Sequence, residues 1–586
     1  MATGQLTGTQ VATKDYLVFS DFETMDTHVA RVACPPNRLP WCENLQIIGP
    51  NQLTTVPAPA SPLTTIGAET ALKMWFAFMN NINYEIVAQT DGSMYAVNLA
   101  SGVATLIAGP GTFTNPDVTV WRSSVLLIAD ANSGYAAWNG TTFTKKGGVS
   151  TNFVVTNGGS NYFGGATAAI TGGSGGGATA SVQVTNGVVT GLTLTNPGSG
   201  YLATDTLTVT ISPVTTGSGA TATVLVWPFF AITPTTLAVF ASRVWLAGTR
   251  QLTWTGTGGY DDANPANASG STTLPDADLV HQITALRALN NFLWIFGDNS
   301  IKQIGTVSIS GSTTVFNIVT LSSDTGTIFP QSIQSYNRLV LFANATGVYA
   351  VLGSSVQKIS TEMDGIFKSL DLSILPCAAL NDINNIRCYL LLVRYIDPVQ
   401  SRTRTLLLTF QSKIWFVCAQ GDGLLAMSTA VIAGNLETFG SSGNDVTQLL
   451  QATGTPVAIF LQTALAHHNK PWMSKRALRA GTAQSSSSSG PMTFTIDTEN
   501  TSVNENYTVT FPIIWLNALG GVVTWLNSLS QLVTFTGSGF LWQRTPAAGT
   551  GIYLGMTLKG SFSGYSFNNG IIEYQEATAM ASKTSV

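Results

Sequence analysis

Charge is what this chain has least of. Asp, Glu, Lys and Arg together make up 10% of its 586 residues, against roughly 25% in an ordinary soluble domain. Low charge combined with 44% apolar residues excludes a disordered chain, because disorder goes with low hydrophobicity and high charge. Solubility is left to Ser, Thr, Asn, Gln and Gly, which suits outer faces covered by neighbouring subunits. The net charge is −4, and no block of Lys or Arg supplies the basic stripe of a stationary nucleic-acid grip. DNA sliding past without sticking stays compatible with this balance.

Chemistry-bearing residues are also sparse. The five cysteines, Cys34, Cys42, Cys377, Cys388 and Cys418, are odd in number and scattered, which argues against a disulfide framework and for buried free thiols. Of the four histidines, the adjacent His467 and His468 have no Cys or carboxylate at metal-ligand spacing, and His28 with Cys34 and Cys42 lacks a fourth ligand. No His-Glu-x-x-His, Gly-x-Ser-x-Gly or P-loop lysine pattern occurs. The run from Gly172 to Gly177 lacks both the lysine and the following helix of a phosphate loop. Asp91-Gly92 and Asp422-Gly423 read as hairpin turns, and Glu362, Asp364 and Asp371 form no catalytic carboxylate pair. The expectation is a non-enzyme without cofactor or metal. The start, Met1-Ala2-Thr3-Gly4-Gln5-Leu6, has no basic stretch leading into an apolar run, so synthesis in a cytoplasm is expected. Helical periodicity is nearly missing too, and its best candidate is the short stretch from Lys475 to Ala480.

What the chain does have is a repeating strand pair. Apolar runs at Val125-Leu126-Leu127-Ile128, Phe292-Leu293-Trp294-Ile295 and Leu339-Val340-Leu341-Phe342 each meet a turn of Asp, Asn, Ser or Gly and then a second strand. Further copies start at Ile86, Val244, Tyr389 and Val431. Val244 to Phe292 is 48 residues, Phe292 to Leu339 is 47, and Leu339 to Tyr389 is 50. A hairpin period of this size marks four-stranded propeller blades. The predicted fold is all-β: a degenerate six- or seven-bladed β-propeller.

One gap, Val125 to Val244, runs to 119 residues. Its surplus is a Gly-, Thr- and Ala-rich stretch with an internal echo. Thr156-Asn157-Gly158-Gly159-Ser160-Asn161-Tyr162 answers to Thr195-Asn196-Pro197-Gly198-Ser199-Gly200-Tyr201. Residues 151–228 are therefore read as a small inserted β-repeat domain, a class of insertion that loop tips tolerate. The propeller is expected over 56–150 and 229–452, after an extended N-terminal arm and lead-in over 1–55. Residues 453–586 read as a C-terminal β-sandwich-like domain.

Between Phe511 and Phe535 no charge occurs, a length that would permit a membrane span. Ile513-Ile514-Trp515, Val523-Thr524-Trp525 and Val533-Thr534-Phe535 recur every ten residues, which is no helical period. The segment is read as a β-rich loop, with Trp515, Trp525 and Phe535 at a channel or an intersubunit contact, and no stable span is expected. The densest basic group is Lys470, Lys475, Arg476 and Arg479, read as an interface patch.

These features together resemble the tail nozzle, or tail hub, proteins of short-tailed bacteriophages. The likeness rests on Glu43-Asn44-Leu45-Gln46-Ile47-Ile48 through Val56, on the degenerate blades between Ile86 and Gln451, and on Gly539-Phe540-Leu541-Trp542-Gln543 through Tyr574. The resemblance implies a structural virion protein, made in the bacterial host and lodged in the phage tail. It implies a homohexameric ring of about six copies, below the portal and adaptor, which continues the DNA channel and retains and then releases DNA at ejection. Its implied partners are its own copies, the portal-adaptor ring, tail fibres, spikes or a needle, and double-stranded DNA in transit. Two other roles stay open on these residues: another phage neck, stopper or receptor-binding component, and a glycan-binding surface propeller.

Overall fold

The computed structural model describes residues 14–49, 51–150, 153–201, 205–213, 216–226, 233–275, 279, 281–397, 402–486, 490–500, 502–509, 525–526, 532–533 and 541–576. Within them the chain is all-β, with strands in ten sheets. The one α-helix described is the single turn Asp364–Phe367. No described helix is long and apolar enough to cross a membrane.

Seven four-stranded antiparallel units follow one another along the chain. They occupy residues 71–108, 117–146, 236–273, 283–322, 334–358, 377–418 and 426–449. The seventh has only three strands of its own, and its fourth is Thr64–Thr65, which precedes the first unit and pairs with Asp445–Leu449. Leu63 and Ile66 donate N–H bonds to Val446 and Asn444 carbonyls at 2.7 Å, extending this pairing. Met74, Val87 and Val97 of the first unit share one buried cluster with Ala426, Ala430 and Phe439 of the seventh. The last unit thus packs back on the first.

The same turn opens every unit. Strands one and two are joined by two consecutive residues with positive φ: Asn80-Asn81, Arg122-Ser123, Ala241-Ser242, Asn290-Asn291, Asn337-Arg338, Asn384-Asn385 and Ala433-Gly434. Left-handed pairs match the right-handed twist of hairpin strands, and Asn tolerates that region better than most residues. In three units the first Asn also reaches outward. Asn80 Nδ2 donates to Asn139 O at 3.1 Å, Asn290 Nδ2 to Arg338 O at 3.0 Å, and Asn384 Nδ2 to Gln46 Oε1 at 2.8 Å.

Between the second and third units lies a six-stranded sheet spanning Val154–Thr223. Its middle pair, Thr167–Thr171 with Thr208–Ser212, runs antiparallel about a local two-fold centre at Ala169↔Thr210. The echoed segments fold alike. Asn157 Oδ1 accepts from Gly159 N–H and Asn196 Oδ1 from Gly198 N–H, both at 2.9 Å. Tyr162 and Tyr201 are both buried in the core of this sheet. Its two ends meet at a bridge between Val149 and Val226.

The N-terminal and C-terminal strands build two larger sheets together. Lys14–Phe19 and Gln52–Thr55 pair with Ser566–Glu576, which also pairs with Lys475–Ser485. Trp41–Glu43 pairs in parallel with Ile414–Cys418 of the sixth unit and antiparallel with Val457–Gln462. This short strand joins the sixth unit to the C-terminal strands in one nine-stranded sheet. The largest buried cluster spans both sheets and the sixth unit, from Phe19 and Leu45 through Leu391 and Trp415 to Phe567. The stretch from Lys475 to Ala480, a helix candidate in the sequence, is strand. Its burial alternates around a bulge at Leu478, and partners on both sides satisfy its backbone.

Candidate functional site

The first strands of all seven units line one cavity of about 460 Å³. A second cavity of about 420 Å³ adjoins it, sharing Arg287, Pro330 and Gln331. Polar side chains cross each seam between units around these cavities. Lys73 Nζ donates to Pro116 O at 3.1 Å. Thr236 Oγ1 donates to Asp117 Oδ2 at 2.6 Å and accepts from Leu286 N–H at 2.9 Å. Arg287 donates to Asp117 Oδ2 at 2.7 Å and to Pro330 O at 3.2 Å. Gln334 Nε2 donates to Ala378 O at 2.8 Å, and Leu380 N–H to Thr429 Oγ1 at 2.7 Å. Ser428 Oγ donates to Glu85, linking the seventh unit to the first.

These links carry part of the charge held inside the seven units, while Asp130, Arg243 and Lys302 are buried away from them. Asp117 and Arg287 compensate one another at 2.7 Å, so neither is an isolated ion. Glu85 is fully buried, its Oε2 has no partner among the described residues, and burial pushes its carboxyl up to about 8. Burial pushes the Lys73 ammonium down to about 8; Arg287 adds to that shift, while Asp117 and Asp130 oppose it. Sequence reasoning passed over all of them. The available signal was a lone charge inside an apolar strand: Lys73 in Ala71–Met79, Glu85 in Ile82–Gln89 and Arg287 in Ile283–Leu289.

The four residues of the basic group do not form one solvent-facing patch. Lys475 is buried, and its ammonium donates to Lys470 O and Met473 O at 3.0 Å and to Ile552 O at 2.8 Å. Burial holds its pKa below the usual lysine value. Lys470 pairs with Glu576 and lies 3.7 Å from Asp15. Arg476 and Arg479 are exposed on the strand Lys475–Ser485, brought to one face by the bulge between them. Of the loop aromatics, Trp515 and Phe535 lie outside the described residues. Trp525 stands opposite Val533 in a two-residue antiparallel pairing.

Histidines and cysteines are dispersed. His468 Nδ1 is 2.6 Å from Tyr574 Oη, and His28 is 3.8 Å from Asp364. All five cysteines are free and buried. Burial pushes Cys377 and Cys418 up to about 12 and Cys34 up to about 11, so they are poor nucleophiles. Among the described residues no three of His, Cys, Asp and Glu gather as a metal site.

No protein-family model matches the chain, and no curated protein matches it. Among solved structures it is similar to the crystal structure of the N-terminal domain of Nup159. The identity is 7%, the match covers 68% of this chain and 95% of that one, and the TM-score is 0.30. A similarity of this degree carries no argument about architecture or role.

Proposed function

We propose that the chain is a structural building block whose seven units close into a β-propeller, and that it serves as the tail nozzle of a short-tailed phage. The observation that carries the reading is the clasp. A strand that precedes the first unit completes the seventh, so the chain cannot open its ring without breaking the Thr64–Thr65 pairing. Closure removes the long free edges that would otherwise invite aggregation. The hydrogen bonds across each seam stiffen the disc further. In this reading residues 56–150 and 229–452 form the propeller, 151–228 is an inserted domain, and 453–586 is a sandwich-like module anchored by the N-terminal strands.

Rigidity with little charge suits a ring subunit. Broad polar faces pack without desolvating many ions, and heterologous contacts between identical blocks close into rings. The proposed ring continues the DNA channel below the portal and adaptor, and its weakly charged lumen lets DNA pass. The large sheets at the chain's two ends are the natural place for contacts with neighbouring tail proteins. Quantitative mass spectrometry of purified particles tests this. The chain should be present at about six copies per particle and stay with the tail after head disruption. Its absence from particles would sink the proposal.

A further inference from the structure

The second cavity is more than a gap between strands. Its lining combines one ammonium, that of Lys73, with the exposed apolar side chains of Ile328 and Leu375. Among the described residues Lys73 makes a single hydrogen bond, to Pro116 O, and no ion pair within 4 Å. Its ammonium also lies over the Trp75 ring, 6.0 Å from the centroid, in a half-desolvated place. Asn115 and Gln331 line the same cavity, and neither side-chain amide has a described hydrogen-bond partner. The nearby acids are already engaged. Asp117 is held by Arg287 and Thr236, and Asp130 accepts the backbone N–H groups of Thr114, Asn115, Asn132 and Ser133.

Outward, the cavity wall turns apolar. Ile328 and Leu375 are 46% and 50% exposed, far more than aliphatic side chains of a core. A half-buried cation with no ion pair within 4 Å, set beside an apolar collar, suits one kind of ligand. It carries one carboxylate and a short hydrocarbon body.

We propose that this cavity is a binding site for a small aliphatic monocarboxylate, whose carboxylate pairs with Lys73 and whose chain lies against Ile328 and Leu375. The carboxylate supplies the ion pair that Lys73 lacks, in surroundings where screening by water is weak. Burial and the nearby Arg287 depress the ammonium pKa, as expected where a further negative charge would be welcome. The charged groups facing Lys73 are Asp117, Asp130 and Arg287. Loss of the lysine proton as pH rises through about 8 removes the cation that the carboxylate pairs with.

Hexanoate is the probe, with acetate, hexylamine and hexanol as controls, measured by calorimetry on the full chain. Hexanoate is expected to bind, acetate about tenfold more weakly for want of an apolar body, and hexylamine not at all. Lys73→Met should weaken hexanoate about tenfold or more, and Lys73→Arg should restore part of the loss. Ile328→Glu, on an exposed collar residue, should also weaken it about tenfold by adding a like charge. Binding should fall as pH rises from 7 to 9.5. The proposal is overturned if hexanoate fails to bind, if hexylamine binds equally, or if Ile328→Glu leaves hexanoate affinity unchanged. Equal hexanoate affinity in a folded Lys73→Met protein would overturn it as well.

Discussion

Glu85 is the residue most out of keeping with its surroundings. It sits on Ile82–Gln89 between apolar neighbours, fully buried, at the seam between the first and seventh units. An unfolded carboxyl ionises near 4.5, whereas Glu85 in the fold keeps its proton to about 8. Its contribution to stability is therefore full below pH 4.5 and is lost as pH rises from there to about 8. Glu85→Gln removes that loss. It should raise the unfolding free energy by about 1–3 kcal/mol at pH 8.5 and change it little at pH 4. Denaturant titrations at the two pH values check this, and equal effects at both would contradict it. Lys475 shows the opposite case, a buried cation fully used by three carbonyls. Lys475→Met should cost about 2–4 kcal/mol in the same assay, because those acceptors lose their partner. The sequence showed Lys475 only as one of four nearby cations. Nothing in its spacing said that a bulge at Leu478 sends Arg476 and Arg479 outward while Lys475 points in.

At the scale of elements, strand-to-strand turns carried most of what could be read in advance. Asp130, Asn344 and Asp91 stand at turns that the sequence marked, and each side chain accepts local backbone N–H groups. The two-residue left-handed turns that open each unit went unread, because only Ala433-Gly434 contains the glycine that usually signals them. The second residues Asn81, Asn291 and Asn385 are exposed and hold positive φ without a described side-chain bond. Replacing each with Gly should stabilise the protein by about 0.5 kcal/mol, additively, as read from thermal or denaturant midpoints. The Val154–Thr223 sheet is joined to its neighbours where Val149 and Val226 pair. Paired strands lie about 5 Å apart, so two glycines can replace residues 150–225. The shortened chain should unfold within about 2 kcal/mol of the parent, the losses being the packing at Val149 and Val226 and the contacts of Phe143–Lys146 and Gly147 with Val188–Ser199 and Tyr201. Loss of cooperative unfolding would show instead that this sheet supports the rest.

On the scale of the whole molecule, the all-β character was legible from strand periodicity and turn residues. The assembly of the two ends was not. Trp41–Glu43 is three residues long, yet it welds the sixth unit to the C-terminal strands in one sheet. Short strands carry almost no period, and pairings across more than 400 residues leave no local trace. The clasp is equally silent, because Thr64-Thr65 is only two residues. The cavity charges were hidden for a related reason. Lys73, Asp117 and Arg287 lie on three separate units, and only the fold brings them together. The proposed role joins these parts: a clasped disc, stiffened at its seams and low in charge, repeated around a tail axis. Cryo-electron microscopy of particles purified from the host that makes this chain tests that most directly. The expected result is a ring of about six copies on the tail axis, each showing a seven-bladed disc. Particles without the chain, or with it only on peripheral fibres, would contradict the account.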